Sequence, residues 1–144
     1  MNFHEYRGYD AVGLAKLVAA GEVTAAELVE LAVAAAQRVN GKLNAVVHER
    51  YQRARAEAAN PRTGVFRGVP FLLKDLLGHM EGEPMCSGSR AYASFVSDHN
   101  SELVNRYLGS GVIVLGKTNT PEFGLVATTE SALLGPCRNP WNLR

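Results

Sequence analysis

The sequence predicts an α/β protein, and two observations carry that expectation. Ser101 to Ser110 has the apolar period of an amphipathic helix, with Leu103, Val104, Tyr107 and Leu108 inward, and Gly109-Ser110-Gly111 turns it into the β-branched run Val112-Ile113-Val114-Leu115. A helix passing directly into a buried strand is the alternation of α/β layers. The second observation is another apolar strand, Val69 to Leu73, which follows a helical N-terminal part.

The elements follow in order. Asp10 caps a short amphipathic helix carrying Leu14, Leu17 and Val18, and Gly21 ends it. Thr24 with Glu27 forms a capping box for a longer helix through Leu28, Leu31, Val33, Ala35 and Val39, stopping near Asn40-Gly41. Asn44 to Val47 reads as a short strand, and His48 to Ala59 as a helix that ends before Asn60-Pro61, because the residue before proline avoids helical geometry. The loop Asn60 to Gly68 is the seam between a helical N-terminal layer, residues 1–60, and an α/β core, residues 61–144. His79 to His99 is an irregular stretch long enough to lie over a site. Thr120 is expected to cap a short helix with Pro121 at its first position and Glu122 beside the positive dipole end.

Lys74 closes the run Gly68-Val69-Pro70-Phe71-Leu72-Leu73-Lys74-Asp75-Leu76, where the pattern calls for another buried aliphatic. Two readings stand at this point. Lys74 marks the strand's end with its ammonium in water and Asp75 as a neighbouring surface charge. Alternatively, burial by Phe71-Leu72-Leu73 favours a neutral amine, which can take a proton from a hydroxyl and so activate a serine.

Three further segments follow in order. They are Gly82-Glu83-Pro84-Met85-Cys86-Ser87-Gly88-Ser89-Arg90, then Ser101 through Val112-Ile113-Val114-Leu115-Gly116-Lys117-Thr118-Asn119-Thr120-Pro121-Glu122-Phe123-Gly124, then Thr129-Glu130-Ser131 leading into Gly135-Pro136-Cys137-Arg138-Asn139-Pro140-Trp141-Asn142. Together with Gly68 to Asp75 they resemble the amidase signature family from about Gly64 to the C-terminus. The resemblance implies the N-terminal part of that fold, a mixed β-sheet core covered by helices, truncated, with residues 61–144 its incomplete first portion.

It also implies an amide hydrolase using a Ser, cis-Ser, Lys triad, with Lys74 on the lysine position. The family's two serines belong to a Gly-Gly-Ser-Ser-Gly-Gly segment and the sequence after it, beyond the Asn-Pro-Trp motif, and no residue here matches them. The 144-residue chain is therefore expected to be inactive alone. Resemblance places Gly124, Leu125 and Val126 beside the acyl site, with Thr128 and Thr129 close by; a helix end packing on the core is the competing account. Trp141 is expected to bury its ring, and Lys117 to be structural. Lys74-Asp75-Leu76 and Pro121-Glu122-Phe123-Gly124 look like stand-alone amidases of the 6-aminohexanoate cyclic dimer hydrolase type. The alternative is the glutamine-hydrolysing component of a tRNA-dependent amidotransferase, and a non-catalytic remnant is a third reading.

A rival of another class lies in Gly111 to Thr118, which satisfies the phosphate-loop pattern G-x-x-x-x-G-K-[ST]. Val-Ile-Val-Leu prefers a sheet to a curled loop of inward N–H groups, and Asn119-Thr120-Pro121 delays the helix such a loop needs.

Composition bounds the remaining classes. With 47% hydrophobic and 20% charged residues and a net charge of +1, the chain is neither disordered nor an electrostatic nucleic-acid binder. Arg50, Arg53 and Arg55, interspersed with Glu49 and Glu57, read as a solvated helix face. No run approaches the roughly 20 apolar residues that span a bilayer. Cys86 and Cys137 read as reduced thiols of a cytoplasmic protein. His4, His48, His79 and His99 lack ligand spacing, so no metal or cofactor is expected. The partner expected is a small-molecule amide, and the resemblance leaves a homodimer open for the full-length protein.

Overall fold

The computed structural model describes residues 1–143. The chain forms two compact units. One comprises Met1–Arg38, Arg50–Phe71 and Arg106–Leu115; the other comprises Val39–Glu49, Leu72–Asn105 and the chain from Gly116 onward.

In the first unit, α1 (Phe3–Tyr6) begins at Asn2, whose side chain accepts from Glu5 N at 3.0 Å while the Glu5 carboxylate accepts from Asn2 N at 2.7 Å. The sequence reading placed no element here, although Asn-x-x-Glu is itself a capping-box pattern. Helix α2 (Ala11–Ala20) starts as expected, with Asp10 Oδ1 accepting from Gly13 N at 2.7 Å, and ends at Gly21 in the left-handed conformation. Thr24 and Glu27 form their reciprocal pair at the start of α3 (Ala25–Leu43), at 3.1 and 2.8 Å. These bonds satisfy backbone donors that a helix start otherwise leaves open.

Helix α3 passes through Asn40-Gly41 rather than stopping there. The Asn40 side chain instead accepts from Ala45 N and Val46 N, at 2.9 and 2.8 Å, so it organises the exit from the helix. The core of the first unit gathers Leu14, Val23, Leu28 and Val69, with Tyr6, Leu17, Val18 and Phe66 packed against it. Gly68 is required there, because it has φ +80 and a Cβ would lie 2.7 Å from the Ala25 Cβ.

Helix α4 (Tyr51–Ala59) is shorter than predicted, because His48 and Glu49 belong to a strand. Arg50 does not lie on a solvated face. It is buried, donating to Val114 O at 2.6 Å and pairing with Glu57 at 2.9 Å. Desolvating a guanidinium is tolerated only with such partners. Arg55 donates two bonds to Glu30, which lowers the Glu30 pKa through that pairing. Helix α5 (Glu102–Gly109) buries Val104 but leaves Leu103 half-exposed, against expectation, because a short helix presents only a narrow stripe to its neighbours.

Strands β1 (Val46–Glu49), β2 (Pro70–Lys74) and β3 (Ile113–Thr118) form a sheet in the order β1-β3-β2. Strand β1 runs antiparallel to β3, with Val46 opposite Thr118, His48 opposite Lys117 and Glu49 opposite Gly116, and with an irregularity between Val46 and His48. Ile113 N donates to Val69 O at 2.9 Å and Asp75 N to Thr118 O at 3.0 Å. Both positions advance together along the two strands, so β2 and β3 are parallel and the sheet is mixed. A hairpin of two two-residue strands, β4 (Glu130–Ser131) and β5 (Gly135–Pro136), follows.

Strand β3 settles the phosphate-loop question. Gly116, Lys117 and Thr118 lie within the strand, where β1 pairs with them, so their N–H groups do not form an anion cradle. A Cβ at Gly116 would overlap the His48 carbonyl oxygen. The glycine is there for close approach of strands, not for phosphate.

Candidate active site

Lys74 is the last residue of β2, and its side chain is exposed. Leu73 is buried, whereas Phe71 and Leu72 are only half-buried. The expected drying of Lys74 by this flank is therefore absent in this chain, because successive strand residues point to opposite faces and Leu73 takes the core side.

Asp75, expected on the surface, is 3% exposed. Its N–H is the one that bonds Thr118 O. Its carboxylate accepts from the Cys86 backbone N–H at 3.2 Å and from the Cys86 thiol at 2.9 Å. Burial, and then the hydrogen bond to the Asp75 carboxylate, push the Cys86 thiol up to about 11. A carboxylate this buried needs donors in place of water, and the turn at Cys86 provides them.

The long stretch after His79 is irregular, as predicted, apart from a 3-10 turn at Arg90–Tyr92 and a single bridge between Pro84 and Val96. Ser87 has φ +51, and its carbonyl accepts from Phe123 N at 2.9 Å. Phe123 also has φ +51, inside a 3-10 turn at Glu122–Gly124. Thr120 does not cap that turn. Its hydroxyl donates to Pro121 O at 3.1 Å.

A cavity of about 430 Å³ opens beside this turn, lined by Glu122, Phe123, Leu125, Val126, Thr128, Glu130, Ser131 and Ala132. Leu125 and Val126 thus face a common space, and Leu125 is 80% exposed. Gly124 has φ +70, and a Cβ there would meet the Leu76 side chain at 2.7 Å. The segment therefore rests against the residue two places after Lys74, although Lys74 itself is outside the lining.

Other polar groups support the surroundings. Lys117 is fully buried and donates to Gly78 O at 3.1 Å. Buried Glu83 takes His48 Nε2 at 2.7 Å. Asn119 Nδ2 reaches Asn44 O and Gly135 O, at 3.1 and 3.2 Å. Sequence reasoning missed the His48–Glu83 pair, because nothing in the spacing of these residues joins a strand to a distant loop. Trp141, expected to be buried, is 93% exposed. Among the described residues no three of His, Cys, Asp or Glu gather as a metal ion would require.

Comparison with known proteins bears on this arrangement. The Amidase family matches residues 27–144. The chain is 41% identical over 136 residues to the 6-aminohexanoate-cyclic-dimer hydrolase of Paenarthrobacter ureafaciens, covering 93% of this chain and 27% of that protein. It is 33% identical over 141 residues to a component of the glutamyl-tRNA(Gln) amidotransferase of Renibacterium salmoninarum, covering 92% of this chain and 27% of that protein. A solved structure of 6-aminohexanoate cyclic dimer hydrolase complexed with substrate superposes with TM-score 0.88 at 41% identity, over 94% of this chain and 28% of that one. The chain thus spans little more than a quarter of the length of these relatives. The parallel β2–β3 pair ending in Lys74 and the match across most of the sequence lead to one conclusion: the chain belongs to the Amidase family.

Proposed function

We propose that this chain supplies the lysine of an amide hydrolase, and that Lys74 is the base. The observation that carries the reading is the place of Lys74, exposed at the last position of β2, in a chain of the Amidase family. In the complete enzyme the neutral amine takes a proton from a bridging serine, which takes one from a nucleophilic serine. The alkoxide attacks the amide carbonyl, the amine leaves with a proton, and water then frees the acid by the same path in reverse. Neither serine is assigned to a residue of this chain. A lysine works as a base only where it is desolvated or lies beside another cation, so the polypeptide that completes the enzyme has to cover this strand end.

Gly124, Leu125 and Val126 form one side of the acyl-binding space in this reading, and hydrocarbon at Leu125 and Val126 suits an alkyl chain. A stand-alone amidase acting on linear or cyclic amides of aminohexanoate type fits the relative named for that substrate. The glutamine-hydrolysing amidotransferase component is a second reading, favoured by the 33% identity to such a protein. We place the protein in the cytoplasm, in keeping with two free cysteines.

The test is hydrolysis of a simple aryl amide and of glutamine by the full-length protein carrying this segment. K74A is expected to lower kcat by about 10²–10⁴-fold. K74R is expected to fail as well, because a guanidinium does not give up its proton. Wild-type turnover in K74A, or turnover by the 144-residue chain alone, would overturn the reading.

A further inference from the structure

We infer that Asp75 is a positioning residue that links the end of β2 to the wall of the cavity at Phe123–Val126 through the turn at Cys86-Ser87. It rests on the hydrolase reading only for its catalytic consequence, because the link is a chain of contacts. Asp75 is buried, and both its carboxylate oxygens are engaged by one residue, Oδ1 by Cys86 N–H and Oδ2 by the Cys86 thiol. Two donors from one residue hold that residue's orientation as well as its place. The next residue, Ser87, is in the left-handed region, which a non-glycine residue occupies only where its surroundings over-determine it. The carboxylate grip on Cys86 is one such constraint.

The conformation turns the Ser87 carbonyl toward Phe123 N, at 2.9 Å. Phe123 is also in the left-handed region, and it lines the cavity with Leu125 and Val126. Gly88 completes the fit. It has φ +67, and a Cβ there would come within 2.9 Å of Thr120 O, so the turn lies close against the segment that leads from β3 into this wall. The backbone of Asp75 is bonded to Thr118 O and its side chain to Cys86, so one residue ties the position after Lys74 to the surface across which an acyl chain would lie.

The experiment is hydrogen exchange of the 144-residue chain, read at single amides by NMR. D75N keeps the shape and replaces the acceptor facing the thiol with a donor. Exchange at Phe123 N–H is expected to rise at least about tenfold, while Ile113 N–H, bonded to Val69 O, stays unchanged. No rise at Phe123, or an equal rise at both amides, would overturn the inference, since the carboxylate would then serve the whole fold or nothing. Should D75N not fold, C86A removes the thiol donor alone and is expected to raise Phe123 exchange about threefold. C86S, which restores a hydroxyl donor, should return it to the wild-type rate. An unchanged rate in C86A, or no rescue by C86S, sinks the idea.

In the full-length enzyme, D75N is expected to raise KM more than it lowers kcat, the reverse of K74A. A larger fall in kcat than rise in KM counts against a positioning role. Exchange is read without substrate, so failure of the hydrolase reading would leave the exchange result standing, and the converse holds.

Discussion

Lys117 Nζ donates to the carbonyl oxygen of Gly78 at 3.1 Å from a position with no solvent exposure. Lys74, four residues before Gly78, is exposed. Two lysines of one sheet thus have opposite consequences. K117A leaves a buried carbonyl short of a donor and opens a void, with an expected loss of about 3–5 kcal/mol. K74A is expected to change stability by no more than about 0.5 kcal/mol. Urea denaturation of the two variants beside wild type checks both.

The same strand makes a prediction about nucleotides. Because Gly116 to Thr118 pair with β1, magnesium-ATP at micromolar concentration is expected neither to bind nor to raise Tm. Binding of a fluorescent ATP analogue that disappears in K117A would contradict this.

Gly116→Ala places a methyl group against the His48 carbonyl oxygen. Backbone cannot yield as a flexible side chain can, so the expected cost is about 3 kcal/mol or more. An alanine variant with a wild-type denaturation midpoint would show that β1 and β3 leave room for a methyl group between them.

Thr24→Ala removes the acceptor for Glu27 N and the hydroxyl donor to the Glu27 carboxylate. The expected loss is about 1 kcal/mol, the usual worth of an N-cap. The Glu27 carboxyl, held below its ordinary value first by the Thr24 backbone N–H and then by the hydroxyl, should titrate higher in the variant, which side-chain NMR can follow.

Cys86 gives a pH dependence. Its folded thiol is pushed up to about 11, whereas a thiol in an unfolded chain titrates near about 8.5. The folded state binds this proton more tightly, so the contribution is fully present below about pH 8.5 and fades as pH rises through about 11. Compared with C86S, which does not titrate there, wild type should lose stability between those values. A constant difference across that range would place the thiol elsewhere.

Local chemistry was legible and long-range chemistry was not. Asp10, Thr24 and Glu27 announce helix starts because their partners lie within three residues. The run Val112 to Leu115 announces a strand by its own side chains, mostly β-branched, which suit a pleated surface wherever the pairing strands come from. Arg50 and Asp75 looked like surface charges because their partners, Val114 O and Cys86, are distant in sequence or joined to them only by folding. Lys74 was found through its neighbours in the run Gly68 to Asp75, yet strand parity decided where its side chain went. Trp141 was misread because size alone was taken to imply burial, and its ring has no core to enter here.

The antiparallel pairing of β1 with β3 has a consequence for biosynthesis. Val46 to Glu49 leave the ribosome long before Ile113 to Thr118, and at about 5–20 residues per second the first strand waits several seconds for its mate. During that interval its hydrogen-bonding edge is open to any other nascent chain. A holdase present during synthesis should therefore improve the yield of correctly paired protein, whereas the same holdase added once β1 and β3 have paired should have no such effect.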